Sequence, residues 1–250
     1  MKEKRNDKIK DYILHNEQVS LKELQTTFNV SMNTIRRDVS LILDDPRFEK
    51  VYGGIQVKEN PIVSYENRSV KNREIKMSIA KEAAAQINNS DLIYIDSGTT
   101  TKYILDFLDK DINITVITNS LDVILKAEHF PNMSLFAFGN IFRKKTRSFV
   151  GISPNQIIDK YNVSKAFISA TAVSIDNGLM NADILEYEMK KQIVGKASKV
   201  YLLADQSKFN KSNLFTFAPL HQVSDVFTDF QMTQDYLDYF NEHDIIVHHL

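Results

Sequence analysis

Apolar residues return at helical spacing three times in the first 45 positions. Ile9, Tyr12 and Ile13 predict a helix near residues 4–16. Leu21, Leu24 and Phe28 predict a second, and Ile35, Val39 and Ile42 a third. The starts are marked. Ser20-Leu21-Lys22-Glu23 has the form of a capping box, and Ser31 can cap the third helix with Val30 and Ile35 as a hydrophobic staple. Asn29-Val30 leaves a short turn between helices two and three. Two β-prone runs within Arg47–Val57 then flank Gly53-Gly54, which predicts a hairpin turning at the glycine pair. Glu59-Asn60-Pro61 interrupts any element and Ser64–Ser69 is polar without a period, so residues 59–72 read as a linker.

A helix follows through Ile75, Ile79, Ala80, Ala83 and Ile87, and strand-like and helix-like runs then alternate. Strands are predicted at 92–95, 113–117, 133–138, 165–169, 199–203, 225–228 and 244–248, and helices at 101–108, 121–128, 184–197 and 234–241. Such alternation predicts an α/β domain with a mainly parallel sheet over residues 73–250. Two short helices joined by a tight turn, with a helix before and a hairpin after, make a winged helix-turn-helix over residues 1–58.

The third helix of that first domain carries the donors a major-groove reader needs: Ser31, Asn33, Thr34, Arg36, Arg37 and Ser40. Arg can fork onto guanine or clamp a phosphate, and Asn can pair with adenine. The hairpin tip offers Lys50 and Tyr52 to the DNA backbone or minor groove. Residues 1–58 hold eleven Lys+Arg against nine Asp+Glu, in a chain of 31 against 32. The small basic excess has the sign expected of a DNA-binding half.

In the second domain, polar clusters fall just past predicted strands, where α/β sheets bind ligands. The strand Leu92–Ile95 runs into Asp96, Ser97, Gly98, Thr99, Thr100 and Thr101 and then a predicted helix. Small residues, hydroxyls and a helix start form a cradle for a phosphate group. Thr118, Asn119 and Ser120 follow the next strand, Gly139 and Asn140 the one after, and Asp205 and Lys208 a later one. The basic run Arg143–Arg147 reads as a solvated loop, a subunit contact or a source of ligand cations; the last is the reading taken for Arg143 and Arg147. Glu186 and Lys190, four apart, read as an ordinary surface ion pair rather than crevice partners. The set suits a small phosphorylated polyol, with the anion on residues 97–101 and a cation, and the hydroxyls on Asp96, Asn119 or Asp205.

Composition narrows the classes. The chain is 43% hydrophobic with a net charge of −1, ordinary for a globular protein. It has no cysteine, which excludes disulfides and thiolate metal sites. Its histidines show no metal-ligand spacing, so no metal and no cofactor are expected. No apolar run reaches the roughly 18–20 residues of a membrane span, and the charged Met1–Asp7 lacks a signal-peptide core, so a cytoplasmic protein is expected.

The ordered set S-M-N-T-I-R-R-D, V-Y-G-G, D-S-G-T-T-T, T-N-S and A-D-Q-S-K-F resembles the DeoR family of bacterial transcriptional regulators over nearly the whole chain. The resemblance implies a DNA-binding domain joined to a sensor domain resembling sugar-phosphate isomerases. It implies a non-enzymatic repressor of a carbohydrate catabolic operon, released from double-stranded operator DNA by a phosphorylated intermediate, and a homodimer or homotetramer. By position, Ser31 to Asp38 would be the DNA-reading turn, residues 96–100 the phosphate loop, and Asn119, Asp205 and Lys208 pocket residues. The stretches E-K-V-Y-G-G, R-K-K-T-R-S-F-V-G and L-E-Y-E resemble members that repress myo-inositol catabolism, which implies a phosphorylated inositol breakdown product as effector. Gly139-Asn140 stands where the family often has Gly-Gly, and Asp44–Arg47 lacks the usual glycine. An isomerase-like enzyme with an appended DNA-binding domain is the alternative.

Overall fold

A computed structural model describes residues 2–16, 18–45, 48–57, 65–151 and 160–250. The chain divides into two compact units, Met1–Ile62 and Val63–Leu250.

The first unit runs α1 (Lys2–Asn16), β1 (Gln18–Ser20), α2 (Leu21–Phe28), α3 (Met32–Ile42), β2 (Phe48–Val51) and β3 (Gly54–Val57). Ser20 Oγ accepts from Glu23 N at 3.1 Å and starts α2; Asn29, in the left-handed region at φ 49°, ends it. Ser31 Oγ accepts from Thr34 N at 3.2 Å and starts α3. Ile9, Ile13, Val19, Leu24, Ile35, Val39, Ile42, Phe48 and Ile55 are buried and form the core. The wing differs from expectation. Its two-residue turn is Tyr52-Gly53, with Val51 paired to Gly54, so Gly54 belongs to the strand. A methyl on Gly54 would lie 2.3 Å from Val19 O, because β1 pairs antiparallel with β3 and completes a sheet in the order β1-β3-β2. Three residues are too few to show a period, which is why β1 is silent in the sequence.

The second unit opens with α4 (Tyr65–Val70) and α5 (Arg73–Ala84). The reading of 59–72 as a linker therefore needs correcting for 65–70; residues 59–64 lie outside the described ones. A six-residue helix depends on tertiary contacts. Here buried Tyr65 donates from its hydroxyl to Asp122, and Ser69 Oγ meets Lys102 Nζ.

Seven strands build one parallel sheet: β4 (Leu92–Ile95), β5 (Thr115–Thr118), β6 (Ser134–Ala137), β9 (Lys165–Ile168), β12 (Lys199–Leu203), β14 (Asp225–Thr228) and β15 (Ile246–His249). Their order is β15-β14-β12-β9-β4-β5-β6, and every pairing is parallel. Alternate residues face opposite sides. Tyr94, Ala166, Leu202 and Val226 join Met189 and Ile193 of α7 (Ile184–Lys196) and Tyr236 and Phe240 of α8 (Gln234–Glu242). Ile93, Ile95, Phe167, Leu203 and Phe227 join Ile79 and Ala83 of α5 and Val123 of α6 (Leu121–Ala127). Both faces are thus covered, as a parallel sheet requires.

The predicted helix at 101–108 is a 3-10 helix over Thr101–Phe107, entered through a run of three β-branched threonines that disfavours a full α-turn. Short strands of three or four residues escaped the sequence pattern. They are the hairpin β7 (Ile141–Arg143) and β8 (Ser148–Val150), and a small antiparallel sheet of β10 (Ala172–Ser174), β11 (Gly178–Asn181) and β13 (Phe215–Ala218).

Candidate functional site

On the first unit, α3 leaves Asn33, Arg36, Arg37 and Ser40 exposed, while Ile35, Val39 and Ile42 point inward. The Ser31 and Thr34 hydroxyls hydrogen-bond each other at 2.9 Å at the start of the helix. Lys50 is exposed on β2 and Tyr52 stands fully exposed at the hairpin tip. Asp38 departs from the DNA-reading turn implied by the resemblance. It lies three residues after Ile35 on the buried face, and Arg5 Nε donates to its Oδ2 at 2.8 Å. It ties α1 to α3.

On the second unit, β5 and β6 lie to one side of β4, and β9, β12, β14 and β15 to the other. The β4–β9 boundary is the topological switch point, where α/β sheets leave a crevice beyond the strand ends. Asp96 follows β4 and Ser169 follows β9. Asp96 Oδ2 accepts from Ser169 N at 3.0 Å, Ser169 Oγ at 2.5 Å and Lys190 Nζ at 2.7 Å. Lys190 also donates to Ser169 O at 2.6 Å. One turn earlier on α7, Glu186 Oε1 accepts from Ser148 Oγ at 2.8 Å and Ser97 Oγ at 3.5 Å, and Oε2 from Asn181 Nδ2 at 2.9 Å. Burial, with the nearby charge of Asp183, raises the Glu186 pKa, and Lys190 opposes the rise. Glu186 and Lys190 are therefore not a surface ion pair. Both are buried, and each is bonded to a different wall of the strand-end crevice.

The loop after β4 is stapled from within. Gly98 N donates to Thr101 Oγ1 at 3.0 Å, and Thr101 Oγ1 donates to Asp96 O at 2.7 Å. Thr101 is fully enclosed, so its hydroxyl shapes the loop. Gly98 has no room for a side chain: a methyl there would lie 2.2 Å from Ser169 Oγ. Ser97, Thr99 and Thr100 are buried in the same loop, and Thr100 makes no capping bond to the 3-10 helix it precedes.

The other sequence-selected residues divide. Asn119 accepts from Tyr94 Oη at 2.9 Å and donates to Phe149 O at 3.3 Å, so its amide joins β5 to β8. Ser120 caps α6 through Val123 N at 3.4 Å. Gly139, at φ 102°, passes against the Phe149 backbone. Arg147 forks onto Asp122, with Nη2 at 2.8 Å from Oδ1, and Arg143 reaches Asp183 at 3.4 Å.

Asp205 and Lys208 stand in a further group whose other members, Asn72 and Lys76, the sequence did not single out. Asp205 Oδ1 accepts from Ser207 N at 2.9 Å and Asn72 Nδ2 at 3.2 Å. Burial works to raise its pKa, but the Ser207 bonds and the charges of Lys208 and Lys76 outweigh it and hold the carboxyl low. Lys76 is 2% exposed and donates to Lys71 O at 2.8 Å and to Arg68 O. Burial lowers its pKa to about 8; Asp205 opposes, and Lys208, Arg68 and Lys102 add to the fall. Burial likewise lowers Lys208, with Asp205 opposing and Arg68, Lys211 and Lys71 repelling. Several cations thus crowd one carboxylate that already carries other bonds, the electrostatic setting of an anion site.

Lys76 had a sequence signal: it shares the helical stripe of Ile79, Ala80 and Ala83. Ser169 had the same signal as Asp96, a polar residue directly past a strand. Ser148 and Asn181, on strands too short to predict, had none. Among the described residues, no cluster of His, Cys, Asp and Glu could hold a metal ion, and no helix is long and apolar enough to cross a membrane.

Comparison with known proteins bears on both units. A model of the DeoR-like helix-turn-helix domain matches residues 5–60, and one of the DeoR C-terminal sensor domain matches residues 71–230. The HTH-type transcriptional regulator IolR of Bacillus subtilis (strain 168) is 47% identical over 249 residues, 99% of each chain. The HTH-type transcriptional regulator GolR of Listeria innocua is 27% identical, covering 90% of this chain and 89% of its own. Among solved structures, ribose 5-phosphate isomerase A of Methanocaldococcus jannaschii aligns with a TM-score of 0.41 and 19% identity, over 56% of this chain and 55% of that one. The eIF2B beta subunit of Chaetomium thermophilum aligns with a TM-score of 0.46 and 16% identity, over 85% and 58%. With a helix-turn-helix reader in front, a strand-end sensor fold behind and matching relatives over its full length, the chain belongs to the DeoR family of transcriptional regulators.

Proposed function

We infer that the chain is a repressor of a carbohydrate catabolic operon, of the myo-inositol type, released from its operator by a phosphorylated sugar or polyol. The observation that carries this reading is the pair Lys76 and Lys208 beside Asp205, both with depressed pKa values and both repelled by Arg68. A dianionic phosphate seated there, with hydroxyls from the loop after β4, would relieve their mutual repulsion. The similarity to IolR supports the choice of operon. Operator binding would use Ser31, Asn33, Thr34, Arg36, Arg37, Ser40, Lys50 and Tyr52. A homodimer or homotetramer would let two recognition helices meet half-sites about 34–36 Å apart. An enzymatic role is disfavoured because the relatives that match most or all of the chain are named as transcriptional regulators.

The test is operator binding by gel shift, with and without phosphorylated inositol derivatives and sugar phosphates, in Lys208→Ala and Thr99→Val. Both variants should bind operator like the wild type and fail to let go. Release at the wild-type ligand concentration by either variant would place the effector elsewhere. A coupling of about 1–3 kcal/mol is enough to change operator affinity roughly 5–150-fold.

A further inference from the structure

Tyr65, the first residue of α4, stands eight positions past Val57, the last of β3, so α4 is the first described element that the chain reaches after the DNA-binding unit. Six residues are too few for a helix to hold by itself. Its docking bonds run to elements that border the strand ends. The Tyr65 hydroxyl donates to Asp122 Oδ2, in the first turn of α6. Ser69 Oγ meets Lys102 Nζ, on the 3-10 helix that continues the loop after β4. The carbonyls of Arg68 and of Lys71, just past the helix, accept from Lys76 Nζ.

Asp122 is shared. Arg147 forks onto it from the turn between β7 and β8, with Nε at 3.2 Å and Nη2 at 2.8 Å from Oδ1. Arg147 holds φ 53°, a conformation uncommon for a residue with a side chain. Burial works to raise the Asp122 pKa, but the Arg147 and Tyr65 bonds outweigh it and hold the carboxyl low. The next two residues of the hairpin reach the crevice: Ser148 Oγ donates to Glu186 at 2.8 Å, and Phe149 N to Asn119 O at 2.8 Å. The buried Tyr65 ring is also approached by Lys102 at 5.3 Å, Arg68 at 5.6 Å and Arg147 at 5.8 Å from its centre. A helix this short, held by bonds from two walls of one crevice, has two states, docked and released.

We propose that α4 is the coupling element of the chain: docked through Tyr65, Asp122 and Arg147 it holds the operator-competent state, and a phosphorylated ligand in the crevice releases it. The Lys76 ammonium supplies the pull. It holds two carbonyls of this segment, and an anion beside it competes for the same hydrogens. Tyr65 and Asp122 are positioning residues that act through α4.

This inference rests on the reading of the strand-end crevice as the effector site, and the experiment separates the two. Hydrogen exchange of the full-length wild type is followed at the amides of residues 69–71 with and without operator duplex. Operator should slow it about fivefold or more, because DNA selects the docked state. Calorimetry of Tyr65→Phe and Asp122→Asn with inorganic phosphate and with myo-inositol 1-phosphate should show tighter binding than the wild type, by about fivefold or more, because the released state is more populated. A purely structural role gives no such tightening. Exchange unchanged by operator, or ligand affinity unchanged in both variants, would overturn the role of α4 and leave the effector site standing. Failure of the wild type to bind either ligand would overturn the effector site, and the exchange result then decides α4 alone. That measurement needs no variant, so it decides even if the substituted chains do not fold.

Discussion

Lys76 is buried on α5 with Ile79, Ala80 and Ala83, and its ammonium is held by the carbonyls of Arg68 and Lys71. Its pKa in the folded chain is about 8, below the ordinary 10.5, so the unfolded chain holds more protons between those values. The destabilising charge is fully present below about pH 8, and stability from this group rises with pH through the window above it. Phosphate binding should run the other way. An anion beside Lys76 favours the charged form, so phosphate affinity should fall as pH passes about 8, with proton uptake on binding near that pH. Titrations in buffers of different ionisation enthalpy would read the uptake, and Lys76→Met should flatten the pH profile. Gly98→Ala is a second case at this scale. The added methyl meets Ser169 Oγ at 2.2 Å and must displace the loop. Stability should fall by about 1–3 kcal/mol in urea unfolding, with effector response lost and operator binding kept. The positions of Asp96, directly past β4, and Asp205, two residues past β12, were legible from the strand pattern. Glu186 and Lys190 were not, because an i,i+4 pair looks the same on a surface as in a crevice. Only the fold shows that one reaches Ser148 and the other Asp96.

Among the elements, the wing shows where pattern reading ends. Two β-prone runs around Gly53-Gly54 announced a hairpin, but only the packing of β1 explains the second glycine. Gly53, at φ 75°, serves the turn; Gly54 serves the close approach of Val19 O. Gly54→Ala should lower stability by about 1–3 kcal/mol in urea unfolding. Tyr52→Ala removes a fully exposed ring at the tip and should change stability by no more than about 0.5 kcal/mol, while weakening operator binding in gel shifts. α4 was illegible for a related reason: six residues with one buried anchor, Tyr65, have no period to read. Its signal is tertiary, in the bonds to Asp122 and Lys102.

For the molecule as a whole, the alternation of strands and helices was enough to place a parallel sheet and the polar clusters at its strand ends. It did not reveal strand order, which decides that Asp96 and Ser169 meet at the switch point. With a net charge of −1, the chain has no global attraction to DNA, so the proposed operator contact would rest on local cations, the exposed arginines of α3 among them. Combining Arg36→Ala with Arg37→Ala should weaken operator binding and reduce the slope of log affinity against log salt by about one for each phosphate no longer neutralised. Unchanged titrations across salt would remove these residues from the interface.

Because the strands of this sheet all run the same way, the residues proposed to meet the effector follow the C-terminal ends of its strands, and the connections that enter the strands lie at the other end. Asp109, Lys110 and Asp111, in the connection that enters β5, are exposed there. An epitope tag or fluorophore placed between Lys110 and Asp111 should leave induction untouched, which makes that end the place to attach a reporter of occupancy.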